Sequence, residues 1–302
     1  MQSMIVRRAL LLSILLFGAV QSSSALSLAE EFKRVGYVEI CDQNHGVATF
    51  EALYAAFDEF ILFLQEHPAW AQKLYGAKER FIRSKARNYY ATDFFGFYDE
   101  SKRAGRSQIS FYYAAHFHEF IFDRSPEFKQ VPAIVRFLEL CREIQQPYGR
   151  IFEEAVAELG LTTLFAASDN EPPILLKIVK YFPGYAVTRP HYDGTAFSLF
   201  LDSTDNASLL LAPYAASYTG LSRRSDTKAD AFVAPTRNFV RAPGQNSILL
   251  IPGSLLTELS IYPTPHIVLP SGKTRYATIA FAMRPHYIPP KHDLSPLPDF
   301  KD

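Results

Sequence analysis

Four polar residues in the second half of the chain have the types and spacing of a metal site. His191 and Asp193 are separated by one residue, His266 follows much later, and Arg275 lies nine residues beyond it. Two histidines and one carboxylate hold non-haem Fe(II) on one face and leave the opposite positions open for a cosubstrate and oxygen. An arginine near such a site can anchor a second carboxylate, because its planar guanidinium pairs with carboxylates through two parallel hydrogen bonds. These residues therefore indicate iron-dependent oxidation chemistry.

Strands have to position these side chains. In a strand, residues i and i+2 point to the same face, so His191 and Asp193 would lie side by side at a strand end, and His266 has to come from another strand. Arg275 begins a segment that we expect to form a strand beside the one carrying His266. After Pro172 and Pro173 the chain consists of short apolar runs separated by turn residues, the pattern of a sandwich or barrel. The predicted strands are 174–182, 196–201, 208–212, 247–251 and 275–283.

The chain before residue 172 has a different, helical pattern. Apolar residues recur there at three- and four-residue steps, which predicts helices over 47–66 and 131–159. Pro147 falls inside the second, so two helices or one kinked helix are expected. Residues 91–121 are aromatic-rich and irregular. The polar stretch 212–243 is long for a connection inside a compact sheet, and loops of that kind are usually functional or mobile insertions.

The first 25 residues have the composition of a secretory signal peptide. Arg7 and Arg8 precede a mainly apolar run of about 12 residues, and Ser23 and Ala25 supply the small-residue pattern of a cleavage site. The run is short for a bilayer span of roughly 20 residues. We therefore predict cleavage after Ala25 and export to the periplasm or the extracellular space, with an uncleaved membrane anchor as the alternative. No later segment is long and apolar enough to cross a membrane, so no stable membrane span is expected after cleavage.

Charge and cysteine content narrow the function classes. The full chain has 31 basic and 31 acidic residues, and loss of the signal segment leaves it mildly acidic, which counts against a nucleic-acid partner. A small-molecule substrate is expected instead, and the sequence indicates no oligomeric state. Of its 302 residues 48% are apolar, which is ample for one large core. Cys41 and Cys141 make no disulfide framework, and a single disulfide and two buried free thiols both stay open.

Several segments around the four polar residues carry a family resemblance. Residues 176–183 (LKIVKYFP) look like a strand leading to a metal motif, and residues 244–256 like the apolar strand and turn before a distal histidine. Residues 265–268 (PHIV) and 274–281 (TRYATIAF) resemble strands carrying a metal histidine and a cosubstrate arginine. Together they resemble the isopenicillin N synthase-like branch of the Fe(II)/2-oxoglutarate-dependent oxygenases. The resemblance extends weakly to residues 35–38, 44–47 and 148–161.

This resemblance implies a fold and an activity. The fold would be β-rich α+β, with a double-stranded β-helix (jelly roll) core over 172–302 and a helical N-terminal region, 26–171, that buttresses it as part of one structural unit. His191, Asp193 and His266 would bind Fe(II), and Arg275 would bind the distal carboxylate of 2-oxoglutarate. The protein would be a dioxygenase that uses dioxygen to hydroxylate or desaturate a small organic substrate.

Three features depart from the family pattern. The serine that usually follows two residues after the arginine is Ala277, and the position of a cosubstrate-binding tyrosine matches Phe182. The interval between Asp193 and His266 is long, with the excess in 212–243. Each missing hydroxyl would weaken 2-oxoglutarate binding by roughly 1 kcal/mol. These missing hydroxyls favour one alternative, an Fe(II) oxidase of the same fold that does not use 2-oxoglutarate. A separate alternative is an exported non-catalytic binding protein that retains the fold.

Overall fold

The computed structural model describes residues 26–41, 47–85, 96–102, 107–163, 174–212, 240–241 and 247–282. The predicted signal peptide, most of the long stretch after Ala212 and the C-terminal tail lie outside these residues. No helix of the described part is both long and apolar enough to span a bilayer.

The described chain has a mainly helical first part and a strand-rich second part. The helices are α1 (Leu28–Arg34), α2 (Val47–Glu66), α3 (Pro68–Lys85), α4 (Ala115–Arg124) and α5 (Pro132–Glu158). The strands are β1 (Val38–Cys41), β2 (Gly96–Asp99), β3 (Gln108–Tyr113), β4 (Ile174–Tyr181), β5 (Val187–His191), β6 (Phe197–Ser203), β7 (Leu209–Leu211), β8 (Val240–Arg241), β9 (Ser247–Pro252), β10 (His266–Val268) and β11 (Arg275–Ala282).

The longest helices form where apolar periodicity predicts them. Helix α2 has the bounds expected from the sequence. Helix α5 begins with Pro132 in its first turn, where the missing N–H costs nothing, and continues through Pro147 as one 27-residue helix. Of the alternatives left open at Pro147, two separate helices are thus excluded. Cys141 in this helix is a free, buried thiol, whereas the side chain of Cys41 lies outside the described part.

Two antiparallel sheets make up the strand-rich part. The large sheet has the order β1-β9-β6-β11-β4-β3-β2, and the small sheet has the order β5-β10-β7-β8. From β4 onward the chain alternates between them, with β4, β6, β9 and β11 in the large sheet and the intervening strands in the small one. This alternation is that of a jelly roll, so the predicted β-rich α+β fold is confirmed. The N-terminal part also supplies β1, β2 and β3 to the large sheet, which the sequence did not predict.

The strand that begins with Arg275 lies in the other sheet from the strand that carries His266. Strand β11 lies between β4 and β6 in the large sheet, while β10 pairs with β5 and β7 in the small sheet. The expectation that these two strands run side by side is therefore wrong. Both edges of β10 are already paired, and the chain changes sheets between the two strands.

The large sheet has two faces with different partners. Leu176 and Ile178 of β4 belong to the main hydrophobic core, which also contains aromatic side chains of α2 and α5 such as Phe60 and Phe137, whose rings are 4.7 Å apart. The alternate residues Val179 and Tyr181 form a second cluster, against which Val268 of the small sheet packs. We call the face that carries Val179 and Tyr181 the inner face, because it looks toward the small sheet.

Candidate metal centre

His191 and His266 meet across the small sheet. His191 is the last residue of β5, and His266, the first residue of β10, is its direct partner in the antiparallel pair. The centroids of the two imidazole rings are 4.2 Å apart. The phenyl ring of Phe200, on β6 of the large sheet, meets His266 edge to face at 5.8 Å. The pairing of β5 with β10 therefore brings together two histidines that are 75 positions apart in the sequence.

Asp193 lies two residues beyond the end of β5 and is held by side-chain and backbone contacts. The Ser198 hydroxyl donates a hydrogen bond of 2.5 Å to Oδ2 of Asp193, and the backbone N–H of Ser254 donates to the Asp193 carbonyl at 2.9 Å. The other carboxylate oxygen, Oδ1, is 4.0 Å from Nε2 of His266. One oxygen of the carboxylate is thus oriented by Ser198, and the other faces the histidine.

The geometry of these three residues suits a divalent transition metal. One donor atom from each of His191, Asp193 and His266 lies within 4.8 Å of the others, and among the described residues they are the only such group. Ligands that are bonded at about 2.0–2.2 Å on one face of an ion lie about 3 Å apart. The 4.0 Å between Nε2 of His266 and Oδ1 of Asp193 is longer than this, and small side-chain rotations would bring the donors within bonding distance of one ion. The donor types and their proximity therefore fit the metal.

Arg275 lies on the inner face of the large sheet, which faces the small sheet that carries His191 and His266. Its side chain is only 4% exposed, and its Cζ atom is 4.8 Å from the centroid of the Tyr181 ring and 5.9 Å from that of Tyr185. The buried Nη2 atom has no hydrogen-bond partner among the described residues. A buried guanidinium nitrogen without a partner is costly, and a carboxylate ligand would satisfy it. The site therefore also fits a carboxylate cosubstrate.

Tyr181, rather than Phe182, is the aromatic residue beside Arg275. Tyr181 and Arg275 are direct partners in the β4–β11 pair, whereas Phe182 packs against the helix-side core. The assignment of the tyrosine position to Phe182 is therefore wrong, since one residue along a strand changes the face. Burial raises the pKa of Tyr181 to about 12, which keeps its hydroxyl protonated as a donor. Ala277 does lie on this face and provides no hydroxyl.

The inner face also carries polar residues that the sequence did not single out. Cross-strand pairing aligns Lys177 with Tyr112 and Val179 with Ser110, so these side chains share the face of Tyr181 and Arg275. Lys177 is 6% exposed and Ser110 is fully buried. A lysine in the middle of the apolar run ILLKIVKY was the available signal, because a buried strand rarely carries a charge.

His116 and His118, which share the i, i+2 spacing of the metal ligands, have other contacts. The ring of His116 lies 5.1 Å from that of Phe81, and Nδ1 of His118 is 3.1 Å from the hydroxyl of Tyr113. Neither belongs to a group of three potential ligands in the described part of the chain.

The comparisons with known proteins bear on the fold. No protein-family model and no curated protein sequence matches the chain. Its structure is similar to that of the dioxygenase for auxin oxidation from rice, with a TM-score of 0.50 and 16% identity over 88% of this chain and 80% of that one. The corresponding enzyme 1 from Arabidopsis thaliana, in a complex with 2-oxoglutarate, gives a TM-score of 0.49 and 17% identity over 87% of this chain and 90% of that one. The similarity to the rice structure supports the predicted fold.

Proposed function

We propose that the protein is a non-haem Fe(II)- and 2-oxoglutarate-dependent oxygenase that hydroxylates or desaturates a small organic substrate. The proposal rests on one observation: the small sheet and the inner face of the large sheet each present polar side chains to the space between them. Strands β5 and β10 of the small sheet and the loop after β5 contribute the donor atoms of His191, Asp193 and His266. The large sheet contributes the buried Arg275, whose Nη2 atom has no hydrogen-bond partner among the described residues. A metal site next to a carboxylate site is what a bidentate 2-oxoacid requires.

Iron and 2-oxoglutarate, when bound, supply the activation of dioxygen for substrate oxidation, with conversion of the 2-oxoacid to succinate and carbon dioxide. Neighbouring residues orient two of the proposed metal ligands through hydrogen bonds. Nδ1 of His266 lies 3.3 Å from the carbonyl of Thr264, so the proton sits on Nδ1 and the lone pair of Nε2 faces the site. Ser198 restrains the carboxylate of Asp193 in the same way. Such neighbours fix the orientation of metal ligands.

On the inner face of the large sheet, Arg275 and Tyr181 would hold the distal carboxylate of 2-oxoglutarate. The guanidinium offers parallel N–H donors, and the hydroxyl of Tyr181 offers a further donor. Tyr181 thus compensates for one of the two hydroxyls that the sequence suggested were missing. The buried side chains of Val179 and Ala277 surround this position and exclude water, which strengthens each hydrogen bond to the carboxylate.

Anaerobic titration with Fe(II), followed by 2-oxoglutarate, tests the proposal. The expected result is a visible charge-transfer band of the chelated 2-oxoacid in the wild-type protein and its loss in His191→Ala. His67→Ala is the matched control, because His67 is exposed and lies outside the metal group. Fe(II) binding without any response to 2-oxoglutarate would instead identify an oxidase of the same fold. Absence of Fe(II) binding would identify a non-catalytic binding protein.

We also propose that the mature protein is exported after cleavage behind Ala25. The support is the order of a basic start, an apolar run and small residues in the first 25 positions. Mass spectrometry of the protein recovered from the secretory compartment of its host tests this. A mature N-terminus at Leu26 is expected, and an intact N-terminus in a membrane fraction would indicate the uncleaved anchor.

A further inference from the structure

Lys177 occupies an unusual position, at the centre of the inner face. It lies in the middle of β4, opposite Tyr112 of β3 and Ile279 of β11. It shares its face with Tyr181, which is four residues away and therefore about 13 Å along the strand. Since Tyr181 is the partner of Arg275, the inner face carries two cations that are well separated from each other.

The ammonium group of Lys177 is buried and contacts no charged group of the described residues. Lys177 is 6% exposed, and its only direct interaction in the described chain is with the ring of Tyr112, whose centroid is 5.5 Å from Nζ. Asp193 and Glu100 act on it only at longer range. Both carboxylates have nearer donors, Ser198 for Asp193 and the side-chain amide of Gln108 for Glu100.

Such a lysine destabilises the ligand-free protein, because burial disfavours the charged form. Burial lowers the pKa of Lys177 to about 8, while the negative charges of Asp193 and Glu100 oppose the shift. The group therefore remains mainly protonated at neutral pH. A methionine or leucine would fill the same space in a strand at a lower cost.

Neighbouring polar atoms on the same face also have no partner. The hydroxyl of Ser110 and the side-chain oxygen Oε1 of Gln108 are buried and make no hydrogen bond in the described part of the chain. By the register of β3 with β4, Ser110 lies between the level of Lys177 and that of Tyr181. A cation and a hydroxyl, both buried and both available, form a site for an oxyanion.

The geometry points to Lys177 as the residue that binds the substrate, through a carboxylate group on that substrate. This inference rests on the proposed function, and it names the substrate class as organic monocarboxylates. A single ammonium balances a single negative charge, whereas a phosphate dianion would need more cations than this part of the face offers. Arg275 remains for the cosubstrate, and the ring of Tyr112 provides a flat wall for the carbon skeleton.

The location of Lys177 also indicates where a bound substrate would lie relative to the metal site. Among charged groups, Asp193 has the largest effect on Lys177, so the lysine lies within electrostatic range of the metal ligand. A carboxylate held by Lys177 would place the neighbouring carbon atoms of the substrate toward the small sheet.

Paired probes test this inference without requiring turnover. Phenylacetate and 3-phenylpropionate are each compared with the corresponding neutral primary amide, by calorimetric titration of protein loaded with Mn(II) and 2-oxoglutarate. The wild type is expected to bind an acid more tightly than its amide. Lys177→Met should weaken that acid by about tenfold to a hundredfold, the range for one charge-assisted hydrogen bond, and leave the affinity for 2-oxoglutarate unchanged.

Lys180→Met is the matched control, because Lys180 lies on the same strand but forms a 2.8 Å ion pair with Asp58 on the other face. It should retain the preference for acids. The melting temperature of the ligand-free protein gives a second readout. Lys177→Met should raise it, since an unpaired buried charge is removed, whereas a structural lysine would lower it.

Three results would overturn the inference: acids that bind the wild type no better than their amides, acids that bind Lys177→Met as tightly as the wild type, or a loss of 2-oxoglutarate affinity in that variant. Failure of the proposed function looks different. The wild type would then not bind 2-oxoglutarate, with or without Mn(II). The comparison of acid with amide can in that case be repeated without 2-oxoglutarate, and it still reports on Lys177.

Discussion

The imidazole rings of His191 and His266 lie 4.2 Å apart because their residues are direct partners in the β5–β10 pair. Neither strand is long, and the register between them shifts after His266. The histidine pair thus depends on one antiparallel position and on the loops that follow it. Changes to those loops should affect metal binding without removing a ligand.

Gly253→Ala should disturb the loop that carries Asp193. A Cβ atom at Gly253 would lie 2.1 Å from the carbonyl oxygen of Thr195, so one of the two backbone segments has to move. Overpacking of this kind costs about 1–3 kcal/mol of unfolding free energy, and the movement should also weaken Mn(II) binding. Urea unfolding and a Mn(II) titration measure the two effects. Gly272→Ala is the control, because nothing lies within 4 Å of its Cβ position; equal behaviour of the two variants would contradict the prediction.

Ser198→Ala should reduce metal affinity although Ser198 is not a ligand. Its hydroxyl restrains Oδ2 of Asp193, and loss of such a neighbour typically costs 10- to 100-fold in metal affinity, so a reduction of roughly that size is expected. Competition with a metal chelator provides the measurement. Ser110→Ala, at another buried serine of the large sheet, should leave metal affinity unchanged. An unaltered affinity in Ser198→Ala would mean that Asp193 is oriented by other contacts.

Tyr181→Phe should weaken 2-oxoglutarate binding while metal binding is retained. The ring of Tyr181 lies against the guanidinium of Arg275, and its hydroxyl would donate to the same carboxylate. Loss of one such hydrogen bond, about 1 kcal/mol, corresponds to a roughly fivefold weaker affinity. Titration of the charge-transfer band measures it. Tyr276→Phe is the control, since the hydroxyl of Tyr276 bonds to Asp58 on the other face. A cosubstrate affinity that does not change in Tyr181→Phe would remove Tyr181 from the carboxylate site.

Phe60→Ala should strongly destabilise the fold. The ring is fully buried and contacts those of Phe57, Phe111 and Phe137 at centroid distances of 6.4, 5.6 and 4.7 Å. Truncation of such a side chain costs about 3–5 kcal/mol, since it removes burial and leaves a cavity. Leu62→Ala on the same helix, at a side chain that is 55% exposed, should change stability by less than about 0.5 kcal/mol. Chemical denaturation distinguishes the two, and similar losses would refute the assignment of this core.

Stability should decrease below about pH 6.5 partly because of His118. Burial, and then the charge of Arg142, lowers the pKa of His118 to about 4, whereas the unfolded chain binds that proton near pH 6.5. The unfolded state therefore gains the proton first as the pH falls, and stability is lost between about pH 6.5 and pH 4. The loss is roughly 1–3 kcal/mol, because each unit of pKa shift corresponds to about 1.4 kcal/mol and solvent screening reduces the total. Unfolding free energies across this range should depend less on pH in His118→Asn but not in His67→Asn. A parallel decline in both variants would contradict the prediction.

Sequence periodicity predicted the bounds of the long helices and strands better than it predicted which strands pair with each other. Helix α2 and the strands β4, β9 and β11 lie close to their predicted bounds, because apolar spacing reports directly on one buried face. Strands β2 and β3 both lie within the aromatic-rich stretch 91–121, whose pattern indicated no element. Strand β3 pairs with β4, and β2 pairs with β3. These residue-to-residue matches between distant segments are not contained in any local sequence pattern.

The sequence by itself determined the kind of chemistry, because the ability to bind a metal or a carboxylate belongs to the side chains of His191, Asp193, His266 and Arg275. Only the tertiary structure decided how they are arranged. In the tertiary structure the two histidines, from distant segments, are strand partners, and Arg275 lies on the facing sheet. Tyr181 is the strand partner of that arginine, and Lys177 lies on the same face of the sheet. The reason is geometric: neighbouring residues on a strand face opposite sides, so the pairing register decides which of them enters the site.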